Sequence, residues 1–247
     1  MLKLILIILT NTLVFNAYAF EHKKPFDLFT YIDKPPFILD QEKEIGMSYD
    51  LARSLEAFAP TYHFQVVYVP KIRALKMLNE KSGALLWTNP LWVNDRKKSK
   101  YDWISNLMLD SELYITNDKD LVYKDISSLN GKVIVGVRGY VYVNFEDGAS
   151  QHNFTRFNVR HESLVADMLL KNRADVGIIG LQSYWFMKRN NPDISKKTFI
   201  LNGDGTPFYR SILTSKASPE LNNIIVRWLR SDLGKKQWQA IKNKWLH

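Results

Sequence analysis

The sequence predicts an α/β protein built as two lobes, and three observations carry that prediction. Short β-branched or aromatic runs alternate with helical stretches along the chain. The alternation comes as two similar series, one before and one after Lys119. The 247 residues are 46% hydrophobic and 13% aromatic, enough apolar matter for one large domain or two of about 100 residues.

The elements follow in order. Residues 1–19 combine Lys3, an apolar stretch from Leu4 to Phe15 interrupted only by Thr10, Asn11 and Thr12, and the A-x-A ending Ala17-Tyr18-Ala19. That is the pattern of a secretory signal peptide cleaved after Ala19, and its apolar stretch is shorter than the roughly 20 residues a spanning helix needs. Phe26–Ile32 reads as a first strand, and Met47, Leu51, Leu55 and Phe58 fall at helical spacing. Phe64–Val69 is a second strand, Pro70 opens a helix with Ile72, Leu75 and Leu78, and Ala84–Trp87 is a third strand. A βαβαβ run of this kind requires parallel strands.

The second series has Val133–Val137 as strand, a helix with Leu164, Val165, Met168 and Leu169, the strand Val176–Ile179 and a helix from Leu181. Tyr209–Leu213 then reads as a strand, with Ser218 as cap and Pro219 as first residue of the next helix. Leu221, Ile224, Ile225, Trp228 and Leu229 give that helix the clearest amphipathic stripe in the chain. Gly234 is expected to separate it from a last helix carrying Trp238, Ile241 and Trp245.

Composition excludes several kinds of chemistry. The chain has no cysteine, which removes disulfide frameworks, thiol nucleophiles, cysteine-ligated metals and lipidated cysteines together. Its five histidines show no pair at metal-binding spacing, so no metal is expected. No G-x-S-x-G elbow, P-loop or dinucleotide fingerprint occurs, and no cofactor is expected. The net charge of +9 is spread in short clusters such as Arg96-Lys97-Lys98-Ser99-Lys100. Scattered charge on an exported chain argues against nucleic acid as a partner and hints at an anionic ligand or surface.

A resemblance covers nearly the whole mature chain. Tyr31-Ile32-Asp33-Lys34-Pro35-Pro36-Phe37 and Gly46-Met47-Ser48-Tyr49-Asp50-Leu51-Ala52 are followed in order by Arg73-Ala74-Leu75, Asp95-Arg96-Lys97 and Leu129-Asn130-Gly131-Lys132 with Val133–Val137. Arg173-Ala174-Asp175-Val176-Gly177-Ile178 and Trp228, Gly234 and Lys244-Trp245 complete the series. Together they resemble bacterial extracellular solute-binding proteins of family 3. The resemblance implies a two-lobed periplasmic binding-protein fold, each lobe a mostly parallel sheet flanked by helices, with two hinge crossovers. Lobe one would take 20–113 and 209–247, and lobe two 114–208.

The same resemblance implies the ligand residues. Arg96 stands where similar proteins hold a ligand carboxylate with a forked arginine, although Val93 replaces the usual Ser or Thr before it. Thr88 and Asn89 lie near positions that lend hydroxyl or amide hydrogen bonds. Tyr31, Phe37 and Trp87 are candidate aromatic walls, core packing being the competing use of each. Lys34, Arg138 and Tyr140 would join them, and Gly139 would permit a tight turn and close approach. Family members that bind amino acids carry an aspartate for the ligand's ammonium where this chain has Gly180. Losing that charge-assisted bond costs a zwitterion roughly 1.5–3 kcal/mol, so the expected ligand bears net negative charge or lacks an α-amino group.

The implied function is capture of a small polar, carboxylate-bearing or amino-acid-like solute in the periplasm, for an ABC permease or a membrane sensor. A monomer without stable membrane insertion is expected. The alternative is a periplasmic enzyme of the same fold, a cyclohexadienyl or arogenate dehydratase. That chemistry needs an acid or base over the bound ring; none of the matched cleft positions carries one, and Asp33 or Glu162 would have to intrude.

Overall fold

A computed structural model describes residues 23–80, 83–140, 142, 145, 153–201 and 207–246. The expected signal peptide lies outside the described residues. The chain lays down β1 (Lys24–Thr30), α1 (Met47–Phe58), β2 (Tyr62–Tyr68), α2 (Lys71–Glu80), β3 (Gly83–Thr88) and β4 (Asp102–Asp110) in the first lobe. The second lobe holds β5 (Glu112–Thr116), β6 (Val133–Val137), β7 (Thr155–Val159), α3 (Glu162–Leu170), β8 (Val176–Gly180), α4 (Leu181–Asn190), α5 (Pro192–Lys197) and β9 (Phe199–Ile200). The chain then returns to the first lobe as β10 (Phe208–Thr214), α6 (Pro219–Arg230) and α7 (Asp232–Trp245).

Each lobe has a five-stranded sheet, in the orders β2-β1-β3-β10-β4 and β7-β6-β8-β5-β9. Strands β1, β2 and β3 are parallel, as are β6, β7 and β8, which is the βαβ expectation. β10 runs antiparallel to β3 and β4, and β5 antiparallel to β8 and β9, so both sheets are mixed. The crossing strands are the antiparallel ones, because a chain leaving one lobe for the other arrives from the opposite end. Only Ser111 separates β4 from β5, so the sheets change two residues before the expected boundary, and Phe208 already pairs in the first sheet.

The apolar strands are explained by burial on two faces. Leu28 of β1 joins Leu51, Leu55, Trp87, Ile225 and Trp228 on one side, while its neighbour Phe29 joins Leu78, Leu85 and Leu213 on the other. The second lobe repeats this, with Ile179 packing against Val165, Leu169 and Tyr184, and Ile178 against Tyr114 and Ile134. The stripe predicted for α6 faces inward, with Leu221, Ile224, Ile225 and Trp228 buried.

Two terminus expectations are corrected. Pro219 does open α6, but Ser218 makes no capping hydrogen bond; its hydroxyl accepts from the Gly83 amide at 2.9 Å and ties the helix to β3 instead. The last helix begins at Asp232 with Ser231 as its cap, the Ser231 hydroxyl accepting from the Gly234 amide at 3.0 Å, so Gly234 lies inside that helix. Behind the lobe junction α4 leans on the chain's end. Arg189 donates to the Trp245 and Leu246 carbonyls at 3.0 and 3.3 Å, and the Phe186 and Trp245 rings lie 6.0 Å apart.

Candidate functional site

Where the two lobes face each other there is a cavity of about 420 Å³. The first lobe lines it with Tyr31, Ile32, Lys34, Pro70, Lys71, Trp92 and Arg210; the second with Glu112, Arg138, Gly139, Tyr140 and Gly180. Most of these lie at or just beyond strand ends, where open α/β sheets hold ligands.

Arg210 is the most constrained of them. Its side chain is 3% exposed, its Nε donates to Asp110 at 2.5 Å, and its Nη1 donates to the Trp87 carbonyl at 2.8 Å. The guanidinium also sits 4.8, 5.2 and 5.4 Å from the ring centres of Phe37, Trp92 and Phe208. Burial works against its charge, and the Asp110 carboxylate outweighs burial, so the proton is held more firmly than usual. Among the described residues Nη2 makes no hydrogen bond, which leaves one prong of the fork for the cavity.

The backbone explains how a charged side chain comes to sit there. Pairing of β10 with both neighbours slips around Ser211: Ser211 faces Thr88 but Leu213 faces Leu85, and Arg210 faces Met108 but Ile212 faces Ile104. The extra residues include Trp87 on β3 and Asn106 on β4, both left-handed, with φ 59° and 61°. Bulges re-aim side chains, and left-handed backbone at a tryptophan costs about 1–3 kcal/mol. The Trp87 carbonyl it directs meets Arg210.

A second buried ion pair bridges the lobes. Lys34 Nζ lies 2.5 Å from Glu162 Oε1, with side chains 5% and 2% exposed, and 5.6 Å from the Tyr140 ring centre. Glu162 Oε1 also accepts weakly from the Gly180 amide at 3.3 Å, while its Oε2 is buried with no partner among the described residues. A Cβ on Gly180 would lie 2.8 Å from Lys34 Nζ, so the glycine makes room for the ammonium. Burial pushes the phenols of Tyr31 and Tyr140 above their usual range, and both stay neutral donors at neutral pH. Burial also pushes the Glu112 carboxyl up to about 7.

Of the residues expected at the site, the cavity brings together Tyr31, Lys34, Arg138, Gly139, Tyr140 and Gly180. Gly139 has φ 78° and open space around its Cβ position, so the turn calls for glycine there and a close approach does not. The other expected residues are placed differently. Arg96 is exposed and outside the cavity, because its loop turns Asp95 inward instead. The Asp95 carboxylate accepts from the amides of Ser99 and Lys100 and from Trp103 Nε1. Phe37 and Trp87 are fully buried in the first lobe's core, where Trp87 donates to Ser48 at 2.8 Å. Thr88 is also buried, and its hydroxyl meets the Tyr31 hydroxyl at 3.2 Å. Asn89 closes its own turn, accepting from the Leu91 amide and donating to the Tyr209 carbonyl. Sequence reasoning missed Arg210 and Glu112; Arg210 is the one charge inside an otherwise apolar or small strand, which was the available signal.

Among the described residues no cluster of potential metal ligands occurs, and no helix is long and apolar enough to cross a membrane. No family model matches the sequence, and no curated protein matches it either. Solved structures do. They include the GluR0 ligand-binding core in complex with L-glutamate, at TM-score 0.70 and 14% identity over 92% of this chain and 100% of that one. An ancestral arginine-binding protein bound to arginine aligns at TM-score 0.68 and 15% identity, over 91% and 99%. AncCDT-1, an ancestral amino acid-binding protein and precursor of cyclohexadienyl dehydratase, aligns at 0.67 and 15%, over 90% and 96%. The chain therefore has the α/β, two-lobed fold of periplasmic binding proteins.

Proposed function

We propose that the chain is a periplasmic solute-binding protein of the family 3 type, which captures a small carboxylate-bearing anion between its lobes and does no chemistry on it. The observation that carries this reading is the charge of the cavity. Lys34, Lys71, Arg138 and Arg210 line it against one lining carboxylate, Glu112. With Asp110 and Glu162 behind the wall, the site holds a net positive charge of one when Glu112 is ionised and two when it is protonated. The free prong of Arg210 suits a carboxylate oxygen, and Arg138, which makes no side-chain hydrogen bond among the described residues, faces it from the other lobe. Lys34 Nζ, paired with Glu162, stands beside Gly180, and that cation disfavours a ligand ammonium there. Delivery to an ABC permease or presentation to a membrane sensor completes the proposal.

A thermal-shift panel on residues 20–247, with dicarboxylates, sugar acids and the common amino acids, tests it. A ligand at 100 times its Kd adds about 2.7 kcal/mol, a rise of several degrees for a chain of this size. Anionic solutes are expected to give the shift. A response confined to neutral or basic amino acids overturns the anionic assignment, and silence of all acids overturns capture by this cavity.

One observation favours a second reading, the dehydratase. Glu112 is a cavity carboxyl that exchanges its proton near neutral pH, as a general acid must. Turnover of prephenate or arogenate by the purified protein decides for that reading, and its absence against it.

A further inference from the structure

Three carboxylates and two buried cations meet between the lobes, and the count leaves one carboxylate over. Asp110 of β4 takes Arg210 of β10, and Glu162 of α3 takes Lys34 of the turn after β1, each at 2.5 Å. Glu112, the first residue of β5, lines the cavity with no side-chain hydrogen bond and no ion pair among the described residues. Lys34 and Arg210 favour its charge, and Glu162 and Asp110 oppose it. The neutral phenols of Tyr140 and Tyr142 stand on the second-lobe side, and Arg138 and Lys71 line the same cavity. Burial is the largest influence, and with the two carboxylates it prevails over the cations to bring the group to about 7.

We propose that Glu112 couples solute capture to a proton: an anion and one proton from solvent enter the cleft together, the proton resting on the Glu112 carboxyl, whose O–H donates to the solute. This rests on the anion-binding reading and makes Glu112 a specificity-determining residue within it. An ionised Glu112 repels a carboxylate held against it, whereas the protonated acid offers a hydrogen bond. Capture then tightens as the medium acidifies. Above neutrality the affinity falls by up to about tenfold per pH unit.

Two measurements test this on residues 20–247. The first is a carboxyl ¹³C NMR titration, with the Glu112 resonance assigned by its loss in Glu112→Gln. The second is calorimetry with succinate, malate and glutarate at pH 6 and pH 8, in buffers of different ionisation enthalpy, which counts protons taken up. A Glu112 resonance titrating near 7, proton uptake at pH 8, and affinity about fivefold or more tighter at pH 6 are expected. Glu112→Gln, a permanent neutral donor, is expected to bind tightly and equally at both pH values. A resonance titrating near the ordinary carboxylate value, or binding of a probe with no proton uptake and no pH dependence, overturns the coupling alone. Silence of all three probes removes the anion reading and the coupling with it.

Discussion

Two buried ion pairs flank the same cavity at the same 2.5 Å separation, and they are built to opposite specifications. Arg210–Asp110 joins neighbouring strands of one sheet, and its carboxylate is filled: Asp110 also accepts from the Ser111 amide at 2.9 Å and the Gln182 amide at 3.3 Å. The guanidinium adds a backbone acceptor and three aromatic rings. Lys34–Glu162 joins residues 128 apart in different lobes, and among the described residues one carboxylate oxygen stays without a partner. Desolvating two charges is worthwhile only where the remaining lone pairs and protons are satisfied. The first pair is therefore part of the fabric of a lobe, present whether the lobes are together or apart. The second exists only while they are together, and it leaves Glu162 Oε2 unsatisfied among the described residues.

Arg210→Ala is the hardest test of this contrast. It strands the Asp110 charge in the first lobe, with an expected loss of about 3–5 kcal/mol of stability by denaturant titration. Solute capture is expected to fall by roughly a hundredfold or more by calorimetry. A stable variant that still binds would show that Arg210 belongs to neither fabric nor site. Glu162→Gln should do less: about 1–3 kcal/mol, appearing chiefly as an increased radius of gyration in X-ray scattering because the lobes separate. Gly180→Ala, whose new methyl crowds Lys34 Nζ, should open the protein in the same way at smaller cost to thermal stability. If Glu162→Gln unfolds a lobe without opening the cleft, the pair is fabric as well. Arg96→Ala should change neither stability by more than about 0.5 kcal/mol nor affinity, since the side chain is exposed and outside the cavity.

Much of the fold was legible because burial on two faces leaves plain runs in the sequence. Val133–Val137 is the sixth strand to the residue, and the helix starting at Met47 and the helix starting at Leu181 begin where their patterns do. The strands at Asp102–Asp110 and Thr155–Val159 left no such mark. The first is interrupted by left-handed Asn106, and the second holds only exposed and half-buried residues, with no buried face. Of the cavity's lining, the residues anticipated from sequence are those that a turn motif positions, as at Lys34 and at Arg138-Gly139-Tyr140. It was not legible at Arg210, because strand pairing 100 residues away supplies Asp110 and the irregular backbone at Trp87 supplies the carbonyl. Arg96 misled for the converse reason: its neighbour Asp95, rather than the arginine, is the buried charge that organises the loop.

The slipped pairing around Ser211 has a consequence for the energetics of encounter. A surface arginine forfeits about 2 kcal/mol of rotamer entropy when a ligand immobilises it. Arg210, clamped by Asp110 and the Trp87 carbonyl and walled by aromatic rings, loses that freedom during folding and has little left to lose at each meeting with a solute. The left-handed tryptophan is thus a cost borne once, by the fold, for a cavity-lining guanidinium that is rigid before any solute arrives.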